Sequence, residues 1–146
     1  MNWNNVKLTL ERIAPVLISL YRQQIDQTNT NATGRLANTI NFKLEIDNQA
    51  ISLDLLLEDY WKYIEYGRKP GKQPPIRNIQ NWIKVKRILP TINPYLIARK
   101  IGRYGTEGKY LLSNSLEYIN KYYYELIEEA VTLDVTNNLD QFLKEI

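Results

Sequence analysis

Apolar residues recur along the start of the chain at Leu10, Ile13, Ala14, Leu17, Tyr21 and Ile25, with Ile18 widening the stripe. Intervals of three and four predict an amphipathic helix from about Asn4 to Gln27. Pro15 interrupts the pattern. Proline lacks the N–H and clashes with the preceding turn, so the helix either kinks there or begins its regular part near Pro15 as a first-turn residue. Residues 28–34, TNTNATG, read as a break rich in turn and cap formers.

Beyond Gly34 the period changes to two. Phe42, Leu44 and Ile46 alternate with Lys43, Glu45 and Asp47, and Ile51, Leu53 and Leu55 alternate with Ser52 and Asp54. A β-hairpin with one buried and one wet face is predicted, closed by Asp47, Asn48 and Gln49. The aromatic run from Tyr60 to Tyr66 suits a third strand or a short helix.

Pro74 and Pro75 pre-set a helix start, after which Ile76, Ile79, Trp82 and Ile83 share a face and Lys84, Lys86 and Arg87 lie largely off it. Asn93 and Pro94 form an N-cap and first-turn pair, predicting a short helix with Leu96, Ile97 and Ile101 inward that ends near Gly102 or Gly105. From Asn114 a longer helix is expected, with Glu117 in a capping box and Leu116, Ile119, Tyr123, Leu126, Ile127 and Ala130 on the core stripe. Tyr122, Tyr123 and Tyr124 cannot all face one side of it, so at least one is exposed or in an interface.

The element order is that of an α+β fold: a long N-terminal helix, a small antiparallel sheet, two short helices and a long C-terminal helix, the long helices covering one face of the sheet. A single domain is expected over residues 1–131. The tail, 132–146, offers only Leu139, Phe142 and Leu143, and is expected to order against a neighbouring subunit.

Composition narrows the chemistry. The 146 residues include no cysteine and no histidine. Disulfides, the usual zinc sites and the Ser-His-Asp and Cys-His nucleophile arrangements cannot be assembled from this chain alone. The adjacent carboxylates Glu58/Asp59 and Glu128/Glu129 point apart on a helix or a strand. Glu65 with Tyr63 or Lys62 is the remaining catalytic candidate, and the expectation is no enzyme, no metal and no cofactor. No apolar run approaches the roughly 20 residues that span a bilayer, and the N-terminus lacks a signal-peptide pattern, so synthesis and use in a cytoplasm without membrane contact are expected.

The net charge of +3 conceals a segregation. Residues 60–110 carry 12 Lys or Arg against 2 acids, whereas residues 111–146 carry 2 against 7. Within the basic block, Tyr60, Trp61, Tyr63 and Tyr66, joined by Trp82, read as aromatic anchors in a core. Behind them Arg68, Lys69, Lys72 and Arg77 lie among glycines and prolines and read as a projecting loop, and Arg103 and Lys109 flank a second one, RYGTEGK. Such loops meet an anionic partner, either nucleic acid or an acidic protein face.

The order of these segments resembles the small tail-completion or neck proteins, the head-tail connectors of tailed bacteriophages. The resemblance lies in ATGRLANTI at 32–40, YIEYGRKPG at 63–71, IRNIQNWIKVK at 76–86, YLIARKIGRYGTEG at 95–108 and the closing LLSNSLE. It covers about residues 5–125. It implies a non-catalytic virion structural protein, made in the host bacterial cytoplasm, that forms a homo-oligomeric ring in the neck. The implied partners are the portal or an adaptor ring, the tail proteins and the genomic DNA of the channel. Twelve copies would match a portal and are favoured; six would match a tail tube. Many members of the family pass quickly from the glycine to a final helix, whereas this chain inserts the helices at 76–86 and 94–103. Docking of the basic loop on a neighbouring subunit is favoured over DNA, because a lumen through which DNA slides has little use for a tight grip. The alternative is a small basic nucleic-acid-binding protein, with the 76–87 or 94–103 helix on the phosphate backbone.

Overall fold

The computed structural model describes residues 2–30, 34–47, 50–89 and 91–145. The first apolar stripe becomes α1, Asn4–Gln27, one helix that runs through Pro15. A start near Pro15 is therefore corrected. Pro15 lies on the exposed side of the helix, so the carbonyl that loses its N–H partner is left to water.

A helix that begins at Asn4 has orphan N–H groups, and no local side chain caps them. Their acceptor comes from far along the chain. One carboxylate oxygen of Asp134 accepts from the backbone N of Asn5 at 3.1 Å and from its Nδ2 at 2.8 Å, and the other accepts from the backbone N of Val6 at 2.9 Å. A buried carboxylate at the positive end of a helix dipole satisfies donors and charge together.

Between Gly34 and Phe42, where no local pattern marks an element, lies a short helix, α2, Arg35–Thr39. Leu36, Ala37 and Ile40 are buried there, and Arg22 Nε donates to the Ala37 carbonyl at 2.7 Å. The predicted hairpin follows as β1, Asn41–Ile46, and β2, Ile51–Leu56, antiparallel with Phe42 opposite Leu55 and Leu44 opposite Leu53. Asn48 and Gln49 of the expected turn lie outside the described residues. At the base of the turn Asp47 N donates to the Ala50 carbonyl, and Asp47 Oδ1 accepts from Ala50 N at 2.7 Å.

The aromatic run forms a helix, α3, Trp61–Tyr66, which passes directly into a two-residue strand, β3, Gly67–Arg68. β3 is not a third strand of the hairpin: it pairs with β4, Thr106–Glu107, in a separate sheet. Between them lie α4, Ile76–Val85, and α5, Pro94–Tyr104. Asn93 caps α5 as its sequence predicts, its side chain accepting from Tyr95 N at 2.9 Å. Leu96 turns outward, contrary to expectation; α5 packs through Ala98 and Gly102, whose small size lets its neighbours approach. Likewise Ile76 and Trp82 are exposed, while Ile79 and Ile83 are buried.

The last helix, α6, runs from Leu111 to Glu145. Its start precedes the predicted Asn114, so Glu117 is too far along to form the capping box. Of its expected stripe, Ile119 and Ala130 are buried and Tyr123 and Ile127 pack on a core cluster, while Leu116 and Leu126 are exposed. The buried face also takes in Leu111, Ser115 and Asp134, the last two polar and so unmarked by apolar spacing. The described part of the expected tail, 132–145, continues the same helix.

α6 lies antiparallel to α1. Leu111 shares a core cluster with Tyr21, Ile25 and Leu36, and Ile119 shares one with Ile13 and Leu17. Phe42 packs on the first of these and Leu55 on the second, which places the hairpin over the helix pair. α4 and α5 form a smaller cluster of their own around Ile79, Ile83 and Ala98. No helix among the described residues is long and apolar enough to cross a membrane.

Burial pushes the Tyr21 hydroxyl up to about 12, helped by the negative charges of Glu65 and a nearby ionised Tyr60. Between its ordinary value near 10 and this one, the folded chain keeps the proton and the unfolded chain releases it. Stability therefore falls as pH rises through that window, by up to about 1.4 kcal/mol per pH unit. Urea denaturation at pH 9 to 11.5 is expected to show this decline, and Tyr21→Phe to reduce it.

Candidate functional site

Both predicted basic segments belong to one construction, built on glycines and a buried acid. α3 stops at Gly67 because its φ of +76° lies in the left-handed region, and because a Cβ there would stand 2.0 Å from the Thr106 carbonyl oxygen. Gly105 repeats the device across the strand pair: φ is +72°, and a Cβ would stand 2.1 Å from the Arg68 carbonyl oxygen. With both side chains absent, β3 and β4 pair, and Arg68 N also donates to Thr106 Oγ1 at 3.1 Å. The approach extends to either side: a Cβ on Gly108 would meet the Glu65 carbonyl oxygen, and one on Gly102 would meet Gln73. Gly71 N donates to the Gly102 carbonyl at 2.7 Å.

Glu65 locks this clasp to the core. It is 1 % exposed, and no cation pairs with it among the described residues. Its carboxylate accepts from Leu112 N at 2.8 Å, from Ser113 N at 2.9 Å and from the Ser113 hydroxyl. These are orphan donors of the first turn of α6, so Glu65 is a remote cap whose charge is balanced by the helix dipole. The α3 carbonyls are used as well: Ile64 O accepts from Lys109 N at 2.8 Å and Glu65 O from Tyr110 N at 3.2 Å. A carboxylate so engaged is structural, which gives the catalytic candidate Glu65 a different occupation. The signal in sequence is an acid at the spacing that puts it on one helix face with Trp61 and Ile64.

The predicted aromatic anchors are mostly at the surface. Trp61 alone packs on the core cluster of Tyr21 and Leu111, beside Ile64. Tyr60, Tyr63, Tyr66 and Trp82 are exposed. Tyr66 makes a tilted ring contact with Trp61 and an edge contact with Tyr110, and Tyr63 lies under the Arg68 guanidinium, 4.7 Å from ring centre to Cζ. Farther off, Tyr122 and Tyr124 are exposed and Tyr123 packs on the second cluster, as one helix face requires.

Lys69, Lys72, Arg77 and Arg103 are exposed on the clasp and its flanking helices, and Arg68 is half-buried. Lys109 instead turns back on the residues that follow α1, its Nζ donating to Thr30 Oγ1 at 2.8 Å and to Thr28 O at 3.3 Å. Lys86, absent from the predicted set, does the same at the Asn29 carbonyl and Oδ1, both at 2.7 Å. The two ammonium groups serve the negative end of α1, and burial followed by the nearby Lys86 charge holds Lys109 below the usual lysine range. A cleft of about 570 Å³ lies beside them, walled by Tyr60, Tyr63, Trp82 and Thr106.

From Tyr66 to Thr106 the chain holds 10 Lys or Arg and no Asp or Glu. The α4–α5 pair and the clasp residues up to Thr106 thus carry charges of one sign, and Glu107 of β4 is the first acid beyond them. Among the described residues no cluster of three Asp or Glu could hold a metal ion. No protein-family model, curated protein or solved structure matches this chain.

Clasp geometry can be tested at its glycines. Gly105→Ala is expected to cost at least about 2 kcal/mol, from the positive φ and the contact with the Arg68 carbonyl. Gly71→Ala, at φ +130° with open space around it, pays only the strain, roughly 1 kcal/mol. Urea midpoints of the two variants give the comparison.

Proposed function

We propose that this chain is a structural subunit of the neck of a tailed-bacteriophage virion, a non-catalytic head-tail connector that assembles as a ring joining the portal to the tail around the DNA channel. The observation that carries this assignment is the glycine clasp. The segments 63–71 and 95–108, two of those on which the resemblance to neck proteins rests, are the ones that β3 and β4 join and Glu65 fixes to α6. They hold Arg68, Lys69, Lys72 and Arg103 on a rigid base, where a basic surface can meet a neighbouring subunit at little entropic cost. Head-to-tail contact between a basic lobe and an acidic helix of the next copy, with a rotation that closes, gives a ring. Twelve copies remain the favoured number.

A second assignment, a small basic nucleic-acid-binding protein, is favoured by one feature: the acid-free stretch from Tyr66 to Thr106 beside a cleft with exposed Tyr and Trp rings. Phosphate contacts of that kind weaken steeply with salt.

Native mass spectrometry of the chain, alone and with portal or neck partners, separates the two. The neck assignment predicts a closed oligomer, formed alone or on a partner, and loss of that oligomer in Arg68→Glu/Lys69→Glu with the fold retained. A chain that stays monomeric with every virion neighbour but binds duplex DNA at submicromolar, salt-sensitive affinity is the nucleic-acid-binding protein instead.

A further inference from the structure

The C-terminal turns of α6 reach past the body of the fold. Among the described residues the last hydrogen-bonded tie between α6 and the N-terminus is Asn138, whose Nδ2 donates to the Asn2 carbonyl at 2.9 Å and whose Oδ1 accepts from Asn2 N at 2.8 Å. α6 continues to Glu145, an overhang of about 10 Å at the rise of an α-helix. Leu139, Phe142 and Leu143 stand on it at positions i, i+3 and i+4, hence on one face, and are 56 %, 60 % and 66 % exposed. Asp140 and Glu145 flank them, against one cation, Lys144, so the overhang is acidic by one charge.

A surface of complementary kind lies elsewhere on the same chain. Between α4 and α5 is a groove of about 510 Å³ with Ile83, Ile88 and Ile92 along it and Lys84 and Arg87 at its rim. The overhang and groove match as an amphipathic helix matches its receptor, apolar anchors inward and opposite charges around them. Among the described residues neither set of charges forms an ion pair: those found are Lys7–Glu11, Arg35–Glu58 and Lys43–Glu45, none of them on α4, α5 or α6. The overhang side chains stay exposed, so one copy does not seat them in its own groove.

Resting on the ring assignment, we infer that the α6 overhang, Leu139–Glu145, docks in the α4–α5 groove of the next copy. The two surfaces are different patches, so the contact is heterologous and propagates around a ring. Three apolar side chains make a small interface. Such a contact is weak between two free copies and accumulates once a portal or adaptor holds the copies in a circle.

A chain without cysteine allows a direct test. The double variant Gln80→Cys/Leu143→Cys, both at exposed positions, is oxidised with its neck partner present, and the products are separated under denaturing conditions. A ladder of covalent oligomers is expected from the double variant, against dimers at most from either single one. Adding Asp140→Lys and Glu145→Lys is expected to lower the ladder by roughly tenfold, and further adding Lys84→Glu and Arg87→Glu to restore it. If the wild-type chain forms its ring by native mass spectrometry but the double variant gives no ladder, or a ladder indifferent to the charge reversals, this contact is wrong and the ring assignment stands. If the wild-type chain forms no ring with any partner, the ring assignment fails and takes the contact with it.

Discussion

A single buried carboxylate fixes the arrangement on which the rest of the molecule depends. Glu65 lies at the end of α3, where it accepts from the first turn of α6 while its own backbone carbonyl accepts from Tyr110. An ionised group this deep costs several kcal/mol unless its hydrogen bonds are made. Here they are made by donors that would themselves be orphans without it. The same solution recurs at the other end of the helix pair, where Asp134 of α6 caps α1. Helix α6 is thus capped by one remote acid and supplies another, and α1, α3 and α6 are held in register by charge and hydrogen bonding as well as by the Tyr21, Ile25 and Leu111 cluster.

This anchoring gives the basic lobe its rigidity. With the C-terminal end of α3 held, Gly67 and Gly105 bring β3 and β4 together, and the residues between them, 69–104, are returned to the body of the fold at both ends. The α4–α5 pair buries little more than its own cluster, so its attachment rests on the clasp, on Gly71 bonding to Gly102 and on the Lys86 contact with the α1 terminus. Held in this way, residues 66–106 present their cations at fixed positions, as the proposed subunit contact would use them. The acidic half of α6 lies on the same rigid frame.

Much of this was legible in the sequence. The three-four periodicity of α1, the alternation of β1 and β2, the Asn93–Pro94 start of α5 and the two basic segments all rest on local rules that the fold obeys. What was not legible depends on partners distant in the chain. Leu36 and Ala37 form a helical turn because a core lies beneath them. The stripe of α6 was legible at Ile119, Tyr123, Ile127 and Ala130, but not at Ser115 and Asp134, polar residues at buried positions, and the last turns of α6 carry too little periodicity to reveal their tie to Asn2. Tyr60, Tyr63 and Tyr66 looked like anchors because aromatic rings usually are; in α3 the inward positions are instead held by Trp61, Ile64 and Glu65. The clasp itself was present in the sequence only as glycines, whose pairing across the intervening helices no local pattern records.

The central claim is that Glu65 acts as an ionised cap that holds the clasp to α6. The most direct measurement is urea unfolding of Glu65→Gln beside the wild type. Glutamine preserves the size, but its amide brings hydrogens toward the N–H groups of Leu112 and Ser113, where only an acceptor fits. A loss of roughly 1–3 kcal/mol is predicted, together with faster hydrogen exchange at those two amides. Wild-type stability and unchanged exchange in Glu65→Gln would contradict the account.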